Sequence, residues 1–188
     1  VTDEEIVRQL GPLAGLVGVW EGSKGVDEAP DASRKRMDTP YREQMTFEPI
    51  GPVDNHEQTL FGLRYATKAI RIGEDEPFHE ELGYWLWDPS AGQVMRCFLV
   101  PRGVTILAGG DAGSEDRSFS ISADVGSETY GICSNRFLDR EFKTVRYELT
   151  VDLHDDGSLH YAEDSQLEIN GQDEVFHHRD ENTLVRVG

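Results

Sequence analysis

The chain is poor in the residues that staple or metallate a small domain: among its 188 residues are two cysteines, Cys97 and Cys133. They lie far apart with no CxxC or CxxH neighbour, so neither a disulfide framework nor a zinc site is expected. Lysine is scarce too, with Lys24, Lys35, Lys68 and Lys143 set against 36 acidic residues and a net charge of −18. A field of that sign repels phosphate backbones and anionic lipid heads, so no nucleic-acid or membrane partner is expected. Few lysines beside many carboxylates is a composition that marks salt adaptation. No apolar run approaches the ~20 residues of a membrane-spanning helix. The opening Val1-Thr2-Asp3-Glu4-Glu5 has neither the basic start nor the apolar stretch of a secretory signal, which makes a cytoplasmic location the expectation. Catalytic signatures are also missing: there is no GxSxG, HExxH or GxxxxGK[ST], and no GxGxxG between a strand and a helix. The carboxylates are dispersed and read as solvated faces.

What the sequence does have is period two. Val145, Tyr147, Leu149, Val151 and Leu153 alternate with polar residues over Thr144–Leu153, Asp155-Asp156-Gly157 supplies a turn, and Leu159, Tyr161, Leu167 and Ile169 line the returning strand. The same alternation runs through Tyr41–Phe47, Thr59–Tyr65, Leu82–Leu86 and Phe119–Val125, where Phe119, Ile121, Ala123 and Val125 share a face. Turn clusters are read at Gly73–Pro77, Asp88–Gly92 and Gly109–Ser114. Thr2-Asp3-Glu4-Glu5 has capping-box spacing, which predicts a short helix over about residues 3–10 ended by Gly11-Pro12. The charged stretch Val26–Asp38 reads as a long solvated loop, either a lid over a barrel mouth or plain exposed chain. Many short strands with turn punctuation predict one all-β domain, an antiparallel closed barrel of about ten strands behind a short N-terminal helix. Its length suits a single domain with a substantial core. Trp20 is expected to plug the barrel floor beside that helix.

Six histidines carry the remaining chemistry. His154 abuts a turn and His160 lies on the polar face of its strand, so both are expected at the surface; His56 opens a strand among Asn55, Glu57 and Gln58. His79 shares strand parity with Glu81, Trp85 and Trp87, which points it, as one reading, into an aromatic pocket. His177 and His178 precede a last strand read over Asn182–Val187. Adjacent strand residues face opposite sides, so at most one of the pair points inward. A neutral imidazole is a natural axial ligand for haem iron, and a barrel interior supplies apolar walls.

Leu16-Val17-Gly18-Val19-Trp20-Glu21-Gly22 opens the first strand as Leu-x-Gly-x-Trp-x-Gly. With Tyr41-Arg42-Glu43-Gln44-Met45-Thr46-Phe47, with Phe78-His79-Glu80-Glu81-Leu82-Gly83-Tyr84-Trp85, and with His178 followed by Asn182-Thr183-Leu184-Val185-Arg186-Val187, it resembles the nitrobindin family of fatty-acid-binding-protein-like, haem-binding β-barrels over nearly the whole chain. The resemblance implies b-type haem near one mouth, ferric iron bound by His178, His79 on the haem's other side, and reversible nitric oxide binding or isomerisation of peroxynitrite to nitrate. Trp85 and Trp87 are the expected cofactor-side aromatics. The sequence departs from the family where Arg179-Asp180-Glu181-Asn182-Thr183 stands between the histidine and Leu184, so the register of His178 is open. Gly83–Pro89, Pro101-Arg102-Gly103-Val104, Tyr130-Gly131-Ile132 and Asp180-x-Asn182-Thr183-Leu184 resemble an uncharacterised bacterial branch of the family. In that branch Arg102 and Glu43 contact a polar or anionic head group or form ion pairs on the rim. Two readings stand: a haem protein handling nitric oxide or peroxynitrite, and a haem-free, lipocalin-like carrier of a fatty acid or other small apolar ligand.

Overall fold

The computed structural model describes residues 3–188, so Thr2 of the expected capping box lies outside the described residues. In chain order come α1 (Asp3–Arg8), a 3-10 helix (Gly11–Leu16), β1 (Gly18–Pro30), β2 (Arg36–Asp54), β3 (Thr59–Arg71), β4 (His79–Asp88), β5 (Gln93–Val100), β6 (Val104–Asp111), β7 (Ser118–Val125), β8 (Gly131–Ser134), α2 (Arg136–Glu141), β9 (Phe142–Leu153), β10 (Leu159–Ile169) and β11 (Phe176–Arg186). The strands form a closed barrel, β1 pairing antiparallel with both β2 and β11. β7 and β8 share one stave: β6 meets β7 at Gly109↔Ser122 and β8 over Val104–Ile106, while β8 runs parallel to β7. The eleven strands therefore make ten staves.

Period two built the core where it was read. Tyr147, Leu149 and Val151 on β9 and Leu159, Tyr161, Leu167 and Ile169 on β10 are buried on the inner face. Val145 departs from this face. Gln166 pairs with Arg146 and Leu167 with Thr144, which leaves Val145 as the extra residue of a bulge and turns Thr144 inward. On β4 the alternating Leu82 and Tyr84 are exposed, because the interior takes the other parity, where two indoles bury more apolar area than the smaller side chains.

Several expectations about loops are corrected. Val26–Asp38 is mostly strand: β1 and β2 pair continuously from Gly25↔Tyr41 to Pro30↔Arg36, and only residues 31–35 turn. Its inward positions carry Asp27 and Ala29 rather than large apolar residues, so the alternation that betrays a strand is missing. Gly109 and Gly110 lie within β6 and not in a turn. A Cβ at Gly109 would stand 2.3 Å from the Tyr130 ring and one at Gly110 2.0 Å from the Ser120 carbonyl, so these glycines serve close approach. His56 sits in the β2–β3 turn at φ 76° and not on a strand.

One end of the barrel is closed by the N-terminal helices. Leu10, Leu13 and Leu16 are buried under it. Gly11, at φ 55°, lies against the Trp87 indole, where a Cβ would come within 2.5 Å of Nε1. Trp20 is 1% exposed and donates Nε1–H to the Leu16 carbonyl at 2.7 Å, as a floor plug should. The other end is a mouth, ringed by the β1–β2 turn, the β5–β6 turn and α2. Inside, an apolar layer at the closed end gives way to a polar layer at mid-height, and above it the mouth is apolar on one side.

Candidate functional site

The site is built from inward positions of seven strands, β1, β4, β5, β6, β9, β10 and β11. β11 runs without a bulge against β10, from Leu167↔Phe176 through Ser165↔His178 to Leu159↔Leu184. The last strand therefore begins at Phe176, six residues before the expected Asn182, and the Arg179–Thr183 stretch is plain strand. In this register Asn182 and Leu184 are buried and His178 lines the cavity. Its neighbour His177 faces out and meets Asp164 Oδ2 through Nδ1 at 2.7 Å. His178 Nε2 meets Asp27 Oδ1, on the adjacent β1, at 2.7 Å, which leaves Nδ1 as the ring's remaining donor atom.

The mouth encloses a cavity of about 550 Å³, within the ~300–1,000 Å³ of small-molecule and cofactor sites. Its apolar wall is Phe98 and Val100 on β5, Val104 and Ile106 on β6, with Phe142 and Leu167 beside them. In the order of staves β5 and β6 stand across the barrel from β11, so this wall faces His178. His79, Glu81, Tyr147 and Glu163 form the floor. Beneath lies a chamber of about 40 Å³, sharing His79, Glu81 and Glu163 and lined further down by Trp85. By the ~10–15 Å³ that one water requires, it holds a few. Trp87 lines neither space; it belongs to the closed end.

Arg96, inward on β5, organises the floor. Its Nη2 donates to Glu81 Oε2, Nη1 to Glu163 Oε2 at 3.3 Å and to the Tyr147 hydroxyl, and Nε to the Tyr65 hydroxyl at 3.1 Å. Burial works against a charge on Glu81, yet Arg96 and then His79 hold its carboxyl down to about 2. Burial likewise opposes the imidazolium of His79, but the Glu81 carboxylate, 3.2 Å from Nε2, outweighs it and lifts His79 to about 9. Glu163 is pushed up by burial and by the charge of Glu81.

A second network crosses the same layer. Asp180, Tyr41, Tyr161 and Glu43 form a chain of three oxygen–oxygen contacts: Tyr41 with Asp180, Tyr41 with Tyr161 at 2.6 Å, and Tyr161 with Glu43 at 2.9 Å. Three contacts need three protons and the phenols carry one each, so a carboxyl supplies the third. Burial raises both acids to suit: Glu43 to about 7, and Asp180 well above the carboxylate range with help from the charge of Glu43. Glu43 thus makes no rim ion pair. It is buried and also accepts from Thr67 and Asn182.

The structure brings His178 and His79 to one cavity, places Trp85 below it and Trp87 away from it. Sequence reading missed Arg96 and Glu163. Both had a parity signal: Arg96 alternates with Val94, Phe98 and Val100, and Glu163 with Tyr161 and Leu167. The charge on each hides the apolar register it belongs to.

The donor set fits haem. An apolar wall faces an imidazole whose second nitrogen is held by a carboxylate, the arrangement that fixes a histidine ligand's orientation and raises its basicity. The crystal structure of Rv2717c from M. tuberculosis shares this fold at 20% identity with a TM-score of 0.69, covering 96% of this chain and 98% of that one. No curated protein matches the sequence. A family model described as the THAP4-like, heme-binding beta-barrel domain matches residues 9–186, and the chain belongs to that family.

Proposed function

We propose that the mouth cavity holds b-type haem with His178 as its axial donor, and that the protein binds nitric oxide or converts peroxynitrite there. The observation that carries this reading is the inward His178, paired to Asp27 and facing the β5–β6 apolar wall. Haem held there by His178 would supply an iron centre able to take up a small ligand. The chain's own residues do the rest. Asp27 orients the His178 ring, the β5–β6 wall excludes water, and His79, held protonated by Glu81 below pH 9, offers a donor at the cavity floor.

The interior disfavours the haem-free fatty-acid carrier. A carboxylate head at the floor needs a free cation, and both cations there are already paired, Arg96 with Glu81, Glu163 and two tyrosines and His79 with Glu81.

Haem titration tests the reading. Wild type should give a Soret band that persists through desalting, His178→Ala should lose it, and His177→Ala, altered on the outer wall, should keep it. If both variants retain haem as wild type does, iron is held elsewhere and the reading fails.

A further inference from the structure

Among the described residues Arg102 lines the mouth cavity with no side-chain hydrogen-bond or ion-pair partner. In a chain of net charge −18, cations placed to meet an anionic ligand are few. The other rim arginine, Arg34, is occupied: it donates to the Asn170 carbonyl at 2.7 Å and to Glu141 at 3.0 Å, and lies over the Phe142 ring at 4.8 Å. Arg102 is exposed, yet its backbone is fixed. Gly103 N–H closes the β5–β6 turn onto the Val100 carbonyl at 2.9 Å, Asn135 N–H donates to the Gly103 carbonyl at 2.9 Å, and Asn135 Nδ2 donates to the Arg102 carbonyl at 2.8 Å. Gly103 holds φ 93°, and a Cβ there would stand 2.7 Å from Asn135 Nδ2. The same asparagine caps α2 through Oδ1. The turn is thus clamped between β5, β6 and α2, with a free guanidinium on its cavity side.

The cavity's electrostatics assign that guanidinium a ligand group. Glu81 and Glu163 form the floor with Arg96 and His79 already bonded to them, and Asp27 stands beside His178, so a carboxylate directed inward finds no free cation to replace its lost water. An amphipathic ligand that carries carboxylates along one edge is therefore admitted only with that edge at the mouth, where Arg102 stands. We propose that Arg102 binds the carboxylate edge of the cavity's ligand and sets its orientation. This rests on the haem reading, in which the carboxylates are the two propionates. A guanidinium fork suits them because it meets a carboxylate with two parallel donors.

The test compares haem with its dimethyl ester, which has the same ring and iron but no carboxylate charge. Affinities for wild type, Arg102→Ala and Arg102→Lys are read from Soret titration and from quenching of tryptophan fluorescence at low and high salt. Arg102→Ala should weaken haem roughly threefold to tenfold, as expected of a rim-exposed charge-assisted bond, and leave the ester unchanged. Arg102→Lys should recover part of the loss, and salt should shrink the wild-type advantage. If Arg102→Ala weakens haem and ester equally, or neither, the role of Arg102 is overturned while haem binding stands. If wild type retains neither ligand, the haem reading falls and takes this inference with it.

Discussion

Glu81 Oε2 accepts a hydrogen bond from Arg96 Nη2 at mid-height in the barrel, with the two side chains 6% and 5% exposed. Such a pair is held by its surroundings more than it stabilises them, since both ions were taken out of water to make it. Removing one partner is the costly change. Arg96→Met should destabilise the fold by about 3–5 kcal/mol, because Glu81 and Glu163 lose their shared counter-charge. Adding Glu81→Gln should recover part of that loss. Urea unfolding of the single and double variants measures both, and a double variant no more stable than Arg96→Met would show that the cost is packing and not charge.

Stability should depend on pH through the buried Glu81, His79 and Glu43 with different signs, and Asp180 and Glu163, also raised by burial, add to the direction of Glu43. Glu81 is depressed to about 2, so its contribution is complete above the ordinary carboxylate pKa and is lost as pH falls from about 4.5 through 2. His79 is raised to about 9, so its contribution is complete below about 6.5 and is lost as pH climbs through 9. Glu43 is raised to about 7 and acts the other way from Glu81. The folded state keeps its proton while the unfolded state releases it, and stability declines between about pH 4.5 and 7. Glu43→Gln should flatten that interval by an amount on the order of a few kcal/mol, because the amide donates to Tyr161 as the protonated acid does. Unfolding free energies measured every half unit from pH 4 to 8 check this, and an unchanged slope would remove Glu43 as its source.

Trp20 serves the closed end and not the ligand. Its indole donates to the Leu16 carbonyl and lies under the Arg186 guanidinium at 4.8 Å, with the N-terminal helices packed beneath the barrel. Trp20→Ala should cost about 3–5 kcal/mol in urea unfolding, the usual loss for a buried large aromatic. Haem affinity of the folded fraction should stay within about twofold of wild type. A selective loss of affinity at full stability would place Trp20 at the site instead.

The barrel was legible in the sequence because its strands alternate wherever one face is apolar, as in Tyr147–Val151 and Leu159–Tyr161. It became illegible where the inner face turns polar. Asp27 and Ala29 hide the upper half of β1, and Arg96 and Glu163 sit in inward positions that read as surface charges. The bulge at Val145 is invisible for another reason: one extra residue flips the face of what precedes it, and no residue type marks the spot. Parity did predict that only one of His177 and His178 could face inward, since the constraint is local. It could not say which, because that depends on a register set by β10 and β1 across the sheet.

The final prediction separates Asp27's effect on the fold from its effect on the ligand. Asp27 stands directly opposite Asp180 across the β1–β11 ladder, while its Oδ1 meets His178 Nε2. The charge of Asp27 is among those that push the buried Asp180 carboxyl up, which adds to the cost of burying that acid, so Asp27→Asn should leave the apo protein as stable as wild type or raise its melting temperature. Its effect on haem should be the reverse. An amide is a weaker partner for the imidazole than a carboxylate, and loss of such a support typically lowers metal affinity about 10–100-fold. The less basic ligand also stabilises ferric iron less, so the reduction midpoint should move to a higher potential. Thermal melting of the apo protein, haem titration and spectroelectrochemistry of the loaded protein provide the three readings. Parallel losses of stability and affinity would mean that Asp27 holds the fold and reaches the haem only through it; a raised or unchanged melting temperature with weakened haem binding would mean that it acts on the ligand through His178.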